Sequence, residues 1–351
     1  MSHPRRVVGA SSRVPTCNDA TPMRVVLFGA GATGARIARQ LRSSGRVECV
    51  EIRDQQEPKA RRLVETLGVG TEYGEGRHVA ADTAAVVLAT PAGSQAAIAR
   101  RAVHRGVPVV ATSNQMSEVR RLLTLDQEAR HHHVPVVIGA GFMPGFTGLL
   151  ARHAADQLDD VDEIHVAKVG TGGPACARQH HRALSSAGLD WRDGRWTRRA
   201  GGSGRELAYF PDPIGGRDCY RAGLPDALLL VPEFPGVERV TARQAATRRD
   251  RLTAPLPMLR PPHAEGGIGA VRVELRGRVG IERRVIVMGA IERPAVAAGA
   301  VAACTTLHVL ADRAEAGAYG LAGMADHLGL LKAVADCGVR PMRFEGVTTF
   351  L

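Results

Sequence analysis

Several kinds of residue are scarce in this sequence, and their scarcity narrows the classes of protein to consider. Aromatic residues make up only 4% of the 351 residues, and lysine occurs only at Lys59, Lys168 and Lys332. The net charge of +11 therefore comes from arginine, which is spread along the chain without a basic and aromatic platform, so we expect no nucleic-acid partner. No run approaches the roughly 20 apolar residues that cross a bilayer, so we also expect no membrane partner.

Cysteine is also sparse, and its spacing argues against two kinds of site. The six cysteines lie far apart and form no CxxC pair, so we predict reduced thiols in a cytoplasmic protein, with neither zinc nor a disulfide framework. The run from His131 to His133 is a poor metal site, because adjacent residues on a helix do not share a face. We expect it to mark the polar end of a helix, and we expect no metal.

The first 22 residues carry arginines and small polar residues but no apolar core. They therefore do not look like a secretory signal. We predict a disordered extension over residues 1–22, ahead of an abrupt strand at Met23, which is itself an alternative start of the protein.

The N-terminal third alternates short apolar strands with amphipathic helices. Strands are predicted over Met23–Phe28, Val47–Ile52, His78–Ala80, Ala84–Ala89, Val107–Ala111 and Val134–Ile138, and helices over Thr33–Ser43, Pro58–Leu67, Gln95–His104 and Met116–His131. Strands that are apolar on both faces and separated by helices are typical of a parallel sheet covered on both sides. We therefore predict an α/β fold, with a Rossmann domain over residues 23–148.

From about Asp162 the pattern changes to strands joined by turns. These strands are predicted over Asp162–Val169, Arg195–Arg199, Glu206–Phe210, Val237–Ala242, Val271–Gly277 and Arg283–Met288. Such a pattern predicts an inserted α+β domain with an antiparallel sheet over residues 149–290. Two last helices, Ala295–Arg313 and Met324–Cys337, are predicted to pack back on the Rossmann domain as part of residues 291–351.

A glycine-rich turn between the first strand and the first helix predicts a dinucleotide site. Gly29-Ala30-Gly31-Ala32-Thr33-Gly34 has the spacing G-x-G-x-x-G, and all six residues are predicted to bind the cofactor. Gly29 permits the tight turn, Gly31 lets a pyrophosphate approach the backbone, and Gly34 allows the helix to pack closely on the strand. The alternative is a glycine turn that binds no nucleotide, which the strand–helix–strand context disfavours.

The end of the second strand supplies the expected partner of the ribose. Asp54 lies twenty residues after Gly34, where a carboxylate accepts hydrogen bonds from ribose hydroxyls. A carboxylate there repels a 2′-phosphate, so we favour NAD as the cofactor. NADP is the alternative cofactor, because Arg53, Arg61 and Arg62 lie near this position and an arginine can pair with a 2′-phosphate.

Two further loops follow the fourth and fifth strands. Thr90 and Pro91 end the fourth strand, and Ser113 and Asn114 follow the fifth. The carboxyl edge of the sheet is where the nicotinamide half of a dinucleotide lies, so these four residues are predicted to contact the cofactor. A simpler interpretation is that these loops cap helices through Ser94 or Ser117, and the two interpretations are compatible.

A third glycine-rich segment, Gly139-Ala140-Gly141-Phe142-Met143-Pro144-Gly145, closes the Rossmann portion. Together with the first turn and the Thr90-Pro91 loop, it resembles the saccharopine dehydrogenase-like reductases. That group includes saccharopine reductase, lysine 6-dehydrogenase and the carboxynorspermidine and homospermidine enzymes. The likeness covers nearly everything from Met23 onward, and it continues through Val169–Pro174, Asp190–Trp196 and Phe210–Gly215.

The resemblance implies an NAD(P)-dependent oxidoreductase. Hydride would pass between a nicotinamide and the carbon of a C–N bond in a small, amino-acid-like substrate carrying a carboxylate. The second domain would line the base of the substrate pocket and form the interface of a homodimer. Members that act on saccharopine carry an aspartate at the place of Met143 and a tyrosine in the loop where this chain has Asn114-Gln115. We therefore predict that Met143 contacts the substrate. A substrate other than saccharopine is an alternative.

Candidate substrate groups come from two other segments. In the first, Arg178 is predicted to bind a carboxylate, and His180 or His181 to act as general acid or base, because imidazole titrates near neutrality. In the second, Tyr220 is a candidate proton donor and Arg217 a candidate anion clamp. The simpler alternatives are a solvated histidine pair and an exposed turn at Arg217 and Asp218.

Two other functions compete with this prediction. One is a different reaction on the same cofactor fold, such as that of a homoserine or dihydrodipicolinate reductase, because a fold does not determine chemistry. The other is a protein that senses NAD(P) without catalysis. A titratable group near the nicotinamide would favour an enzyme, and a closed apolar pocket there would favour a sensor.

Overall fold

The structure is a computed structural model that describes residues 23–80, 82–258 and 262–344. The predicted extension over residues 1–22 lies outside the described residues. Within the described ranges, no helix is long and apolar enough to cross a membrane.

The first part of the chain forms a parallel sheet covered by helices on both faces. Its strands are β1 (Arg24–Phe28), β2 (Cys49–Arg53), β3 (Thr71–Tyr73), β4 (Thr83–Leu88), β5 (Val109–Ala111) and β6 (Pro135–Ile138), and the intervening helices are α1 (Ala32–Ser43), α2 (Glu57–Leu67), α3 (Gln95–Val103), α4 (Met116–Leu123) and α5 (Asp126–His131). The order β3-β2-β1-β4-β5-β6 is that of dinucleotide-binding folds, with the ligand crevice at the carboxyl ends of β1 and β4. This confirms the predicted Rossmann sheet.

Apolar residues on both faces explain why these strands are buried. Val25 and Leu27 pack in one core cluster with α1, whereas Val26 and Phe28 pack in a second cluster on the other side. Successive side chains of a strand point to opposite faces, so a continuous apolar run suits a sheet with two covered faces.

Two predicted elements of this region are wrong in their bounds. The third strand is Thr71–Tyr73, and His78 instead lies in a loop, where its carbonyl accepts a hydrogen bond from Arg53. The predicted helix Met116–His131 is two helices, because the chain bends at the buried Leu125. After that bend Asp126 accepts a hydrogen bond from the backbone N–H of Ala318 at 2.9 Å.

The middle of the chain forms the second sheet and its covering helices. These elements are α6 (Phe146–Ala155), β7 (Asp160–Val169), α7 (Pro174–Ser185), β8 (Gly188–Arg192), β9 (Arg195–Arg199), β10 (Glu206–Phe210), β11 (Gly215–Arg221), α8 (Asp226–Leu230), β12 (Arg239–Ala245), α9 (Arg248–Thr253), β13 (Gly269–Val279) and β14 (Glu282–Glu292). The central order is β10-β11-β12-β7-β13-β14, and β8 pairs with β12 and β9.

This sheet is mainly antiparallel, as predicted, and contains one parallel pair. Strand β12 runs parallel to β7, while the other pairs of the sheet are antiparallel. A parallel pair needs a long crossover, and the segment from α7 to α8 supplies it. Arg217 and Asp218, for which an exposed turn was an alternative, lie within β11.

The last part of the chain joins both sheets. It forms α10 (Pro294–Leu310), β15 (Gly317–Gly320), α11 (His327–Asp336) and β16 (Met342–Phe344). Strand β15 extends the first sheet in parallel beside β6, and β16 pairs with β14 in the second sheet. Helix α10 packs on α1, where a Cβ on Gly299 would lie 2.4 Å from the Cβ of Arg36. The boundaries proposed at residues 148 and 290 stay predictions.

Candidate functional site

The glycine turn has the geometry that a bound pyrophosphate needs. Gly29 has a φ of +109°, and a Cβ there would lie 2.5 Å from the carbonyl oxygen of Ala89. A Cβ on Gly34 would lie 1.8 Å from the carbonyl oxygen of Gly29, so only glycine lets α1 approach β1 this closely. A Cβ on Gly31, in contrast, would meet nothing within 4 Å. The first and third glycines therefore serve packing, and the second faces open space where a phosphate can approach the backbone.

Asp54 lies beside this turn. One carboxylate oxygen accepts a hydrogen bond from the backbone N–H of Ala30 at 2.8 Å, and the other accepts one from the N–H of Gln56 at 2.8 Å. An ionised carboxylate offers about four acceptor sites, so lone pairs remain for ribose hydroxyls. The backbone contacts hold the carboxylate close to the turn.

Of the three arginines that left NADP as an alternative, two form contacts within the protein. Arg53 is buried, where it pairs with Glu51, donates to the carbonyl of His78 and lies over the ring of Phe28. Arg61 pairs with Glu57 at 2.6 Å. Arg62 is exposed on α2 and is the member of the three without such a contact in the described part of the chain.

The loops after β4 and β5 lie at the same edge of the sheet, because these two strands are parallel neighbours. Thr90 and Asn114 are half-buried and Pro91 is exposed. Ser113 is buried, and its hydroxyl oxygen has no hydrogen-bond partner within the described residues. Buried hydroxyls normally have a partner, so this oxygen fits a polar ligand at the edge. That is the position predicted for the nicotinamide.

The two predicted helix caps have different outcomes. Ser94 is the N-cap residue of α3 but makes no capping hydrogen bond, whereas Ser117 lies inside α4 and is not a cap. The buried carboxylate of Glu118 takes the role, because it accepts from the backbone N–H groups of Gly93 at 2.6 Å and Ala96 at 2.7 Å. A carboxylate at a helix N-terminus is favoured by the exposed amides and the helix dipole.

The Gly139–Gly145 segment turns tightly from β6 into α6. Gly145 has a φ of +123°, and a Cβ there would lie 2.3 Å from the carbonyl oxygens of Gly139 and Gly141. Met143, the predicted substrate contact, is buried in the main core cluster with Phe142 and Phe146. Its position supports the packing of this loop, and its contact with a substrate stays a prediction.

Helix α7, which carries the predicted substrate residues Arg178, His180 and His181, begins in contact with the glycine turn. A Cβ on Gly173 would lie 2.9 Å from the Cβ of Ala32. Farther along the helix, Arg178 is exposed, and Nε2 of His181 lies 3.0 Å from the carbonyl oxygen of Leu256. This contact leaves His181 on the side of α7 that faces α9 and its following loop.

The environment of His180 does not fit the predicted role in proton transfer at neutral pH. Its Nδ1 is buried without a hydrogen-bond partner among the described residues. Burial, followed by the positive charge of Lys168, lowers the pKa of His180 to about 3. The imidazole is therefore neutral throughout the physiological range, and the neutral side chain has no proton to release as imidazolium.

Tyr220 and Arg217 are separated by the strand that carries both. Tyr220 is buried, and the guanidinium of Arg251 lies 4.3 Å from its ring centre. Arg217 lies three residues earlier in β11, on the opposite face, and its side chain is exposed. The two groups therefore do not form the single cluster that the sequence suggested.

The sequence reasoning missed a row of polar side chains on the inner face of the second sheet. Gln244 of β12 is paired with Lys168 of β7 on one side and with Tyr220 of β11 on the other. The three side chains are therefore neighbours on one face, and their relative exposures are 0%, 9% and 5%. The one available signal was that Lys168 is one of only three lysines and lies in an apolar strand.

A buried carboxyl group lies near this row. Asp226 begins α8, and one of its oxygens accepts a hydrogen bond from Thr147 of α6 at 3.3 Å, while the other has no partner in the described ranges. Burial raises the pKa of Asp226 to about 6, although the charge of Lys168 opposes this effect. A small cavity borders Asp226 and Thr147, and its wall includes Pro144 and Gly145. Asp226 thus lies beside the loop at the carboxyl edge of β6.

No group of three or more metal-ligating side chains occurs in the part of the chain that the structure describes. The site therefore consists of a nucleotide-binding turn, the polar edge of the first sheet and the polar row with Asp226.

The family comparison agrees with this geometry. Residues 23–140 match the GFO/IDH/MocA model, described as an oxidoreductase family with an NAD-binding Rossmann fold. The first domain is thus an NAD-binding Rossmann fold of the oxidoreductase type, as the glycine turn and Asp54 predicted.

Comparison with solved structures extends the likeness to the second domain. The chain is similar to apo saccharopine dehydrogenase (L-Glu forming) from Saccharomyces cerevisiae, with a TM-score of 0.69, 14% identity and coverage of 92% of this chain and 100% of that chain. It is also similar to DAP dehydrogenase of C. glutamicum in complex with DAP, with a TM-score of 0.51, 13% identity and coverage of 88% and 96%. At these identities the likeness concerns the fold. The predicted resemblance to saccharopine dehydrogenases is confirmed at that level.

A curated relative matches a shorter part of the chain. It is the ribosomal RNA small subunit methyltransferase A of Mycolicibacterium paratuberculosis, 28% identical over 162 residues, which are 46% of this chain and 46% of the relative. The match thus spans about half the length of that protein. The methylation named there belongs to the relative.

Proposed function

We propose that the protein is an NAD(P)-dependent oxidoreductase of the saccharopine dehydrogenase-like type. It transfers hydride to or from the carbon of a C–N bond in an amino-acid-like substrate, so that an amine and an imine interconvert. The observation that carries this proposal is the neighbourhood of Asp226: a buried ionisable group lies beside the carboxyl edge of an NAD-binding sheet.

The chain's own groups would hold the cofactor along the edge of the sheet. The backbone at Gly31 would hold the pyrophosphate, Asp54 the adenosine ribose, and the unpartnered hydroxyl of Ser113 the nicotinamide half. When bound, the nicotinamide supplies or accepts the hydride at its C4 carbon.

Titratable groups near the edge favour an enzyme over a sensor of NAD(P). A sensor needs only a complementary pocket, whereas Asp226, with a pKa of about 6, suits proton exchange near neutral pH. Asp226 thus replaces His180 as the candidate proton donor or acceptor.

A turnover assay tests the proposal. The purified chain is incubated with NAD or NADP and a panel of saccharopine, L-lysine and L-glutamate, and nicotinamide absorbance is recorded. We expect reduction of the cofactor with at least one of these amines. Gly31→Val is the matched control: no atom lies within 4 Å of the added Cβ, so the variant should fold normally but lose cofactor binding, because the branched side chain occupies the pyrophosphate path.

Three outcomes would contradict the proposal. Cofactor binding without turnover of any amine would favour the sensor, and oxidation of homoserine but not of the amines would favour the homoserine reductase type. Unchanged NADH affinity in Gly31→Val would overturn the cofactor site itself.

A further inference from the structure

Lys168 has a largely buried side chain without a direct partner among the described residues. The residue is only 9% exposed, and its ammonium group forms neither an ion pair nor a hydrogen bond there. Its charge lowers the pKa of both Asp226 and His180, so the three groups lie close enough to interact. A largely buried charge without a directly bonded partner is costly in a folded protein. An anionic group of a ligand would supply that partner.

The groups around Lys168 also have unused hydrogen-bonding capacity. The amide nitrogen of Gln244 donates to the carbonyl oxygen of His180 at 2.8 Å, but its amide oxygen has no partner in the described ranges. The same holds for Nδ1 of His180 and for the second oxygen of Asp226. Gln244 and Asp226 are 0% and 1% exposed. Because buried polar atoms normally have partners, several such atoms around one lysine indicate a ligand with more than one polar group.

The two ionisable groups specify the charges of that ligand. Lys168 is an ammonium group and fits a carboxylate, and the free oxygen of Asp226 fits a nitrogen that donates a hydrogen bond. Asp226 borders the same cavity as Pro144 and Gly145, beside the carboxyl end of β6. The nitrogen end of the ligand would therefore lie at this edge, and its carboxylate end at Lys168 on β7.

We propose that Lys168 binds a carboxylate of the substrate and that Asp226 binds the substrate nitrogen whose carbon exchanges hydride. This assignment rests on the proposed function for the position of the reacting carbon. It also places the substrate on the inner face of the second sheet, with Gln244 between the two charged groups as a further hydrogen-bonding partner. Arg178, which is exposed, is then not the carboxylate anchor that the sequence suggested.

Two probes separate the two contacts. Glutarate carries carboxylates but no nitrogen, and L-glutamate carries both. Their binding to the protein is measured by thermal shift and, in the presence of NADH, by the fluorescence of the bound nucleotide. We expect wild type to bind both probes. Lys168→Met should weaken both by about tenfold or more, Lys168→Arg should restore part of the loss, and Asp226→Asn should weaken L-glutamate but not glutarate.

The controls distinguish this proposal from the proposed function. Lys332→Met removes an exposed lysine of α11 and should bind both probes like wild type. NADH affinity should be the same in all four variants, which also shows that they fold. If Lys168→Met keeps wild-type affinity for both probes, or if wild type binds neither probe, the carboxylate site is wrong even where NADH binds. If the probes behave as expected but NADH does not bind, the substrate pocket stands and the oxidoreductase function fails.

Discussion

At the scale of single residues, the preference between NAD and NADP depends on what surrounds the end of β2. Asp54 is held beside the glycine turn by two backbone N–H groups. Arg53, its neighbour in sequence, is buried against Glu51 and Phe28. The remaining candidate for a 2′-phosphate is the exposed Arg62. This distribution favours NAD.

The Asp54→Ala variant tests that preference. We expect NADH affinity to fall and any preference over NADPH to narrow, because a ribose acceptor is lost and a 2′-phosphate is no longer repelled. Fluorescence titration with both nucleotides measures the two affinities. Arg62→Ala is the companion variant and should leave NADH affinity unchanged. A wild-type protein that strongly prefers NADPH would contradict the assignment.

The ionisation of Asp226 makes a pH-dependent contribution to stability. Its pKa is raised from 3.8 to about 6 in the folded protein, by burial, against the opposing charge of Lys168 on β7 and the hydrogen bond from Thr147 on α6. The folded state therefore holds this proton more tightly than the unfolded chain. The resulting stabilisation is complete below the unfolded value and is lost as the pH rises through about 6.

Denaturant unfolding of wild type and Asp226→Asn at several pH values tests this linkage. Between pH 5 and pH 7.5 (roughly the span across the folded pKa), wild type should lose on the order of 1 kcal/mol relative to the variant. Asparagine does not titrate, so the variant shows the pH dependence of all other groups. Parallel curves for the two proteins would mean that Asp226 has an ordinary pKa.

At the scale of elements, the loop that faces the nicotinamide position depends on a contact between two helices. Glu118 of α4 is 1% exposed and accepts hydrogen bonds from the backbone of Gly93 and Ala96 at the start of α3. The cap thus comes from a residue 22 to 25 positions away along the chain. Ser94, the local candidate, makes no such bond.

We expect Glu118→Ala to lower the free energy of unfolding by about 2 kcal/mol, because two buried N–H groups lose their acceptor. Ser94→Ala should change it by a few tenths of a kcal/mol at most, since no cap is removed. NADH affinity should also fall in Glu118→Ala as the Thr90–Gly93 loop loosens. Denaturant titration measures the free energy of unfolding of both variants. Equal values for Glu118→Ala and Ser94→Ala would show that Glu118 is not the cap.

At the scale of the whole molecule, the second sheet has an exposed apolar end. Val279, Ile281 and Val285 lie at the β13–β14 hairpin and are 42%, 99% and 58% exposed, with Val279 and Val285 on opposite faces of the sheet. Exposed apolar residues that lie close together often mark an interaction site. We propose that this end of the second sheet contributes to the homodimer that the family resemblance implies.

Light scattering after gel filtration tests the assembly. Wild type should have a mass of twice the 37.2 kDa chain, and Ile281→Glu should shift the population toward single chains, because a charge is buried at the contact. Val69→Glu is the matched control, since Val69 is 90% exposed but stands alone after α2. A single-chain mass for wild type would contradict the proposal.

Local patterns were sufficient for the nucleotide-binding half of the site. The glycine spacing, the apolar strands and the carboxylate after β2 all act within about thirty residues of one another, as a single strand–helix–strand unit. The sequence therefore predicted the Rossmann sheet, the three roles of the glycines and the position of Asp54. It also indicated most strands of the second sheet, because their alternation and turns are local signals.

The substrate half was decided by tertiary structure, because its residues come together only through pairing of distant strands. Lys168, Gln244 and Tyr220 are neighbours because β7, β12 and β11 pair in that order, and β12 runs parallel to β7 after a long crossover. Burial raises the pKa of Asp226 to about 6, so this carboxyl group titrates near neutral pH. Burial also lowers the pKa of His180 to about 3, so the imidazole does not titrate there. Burial and strand register depend on the whole fold, so the sequence alone could not separate His180 from His181 and missed the buried lysine.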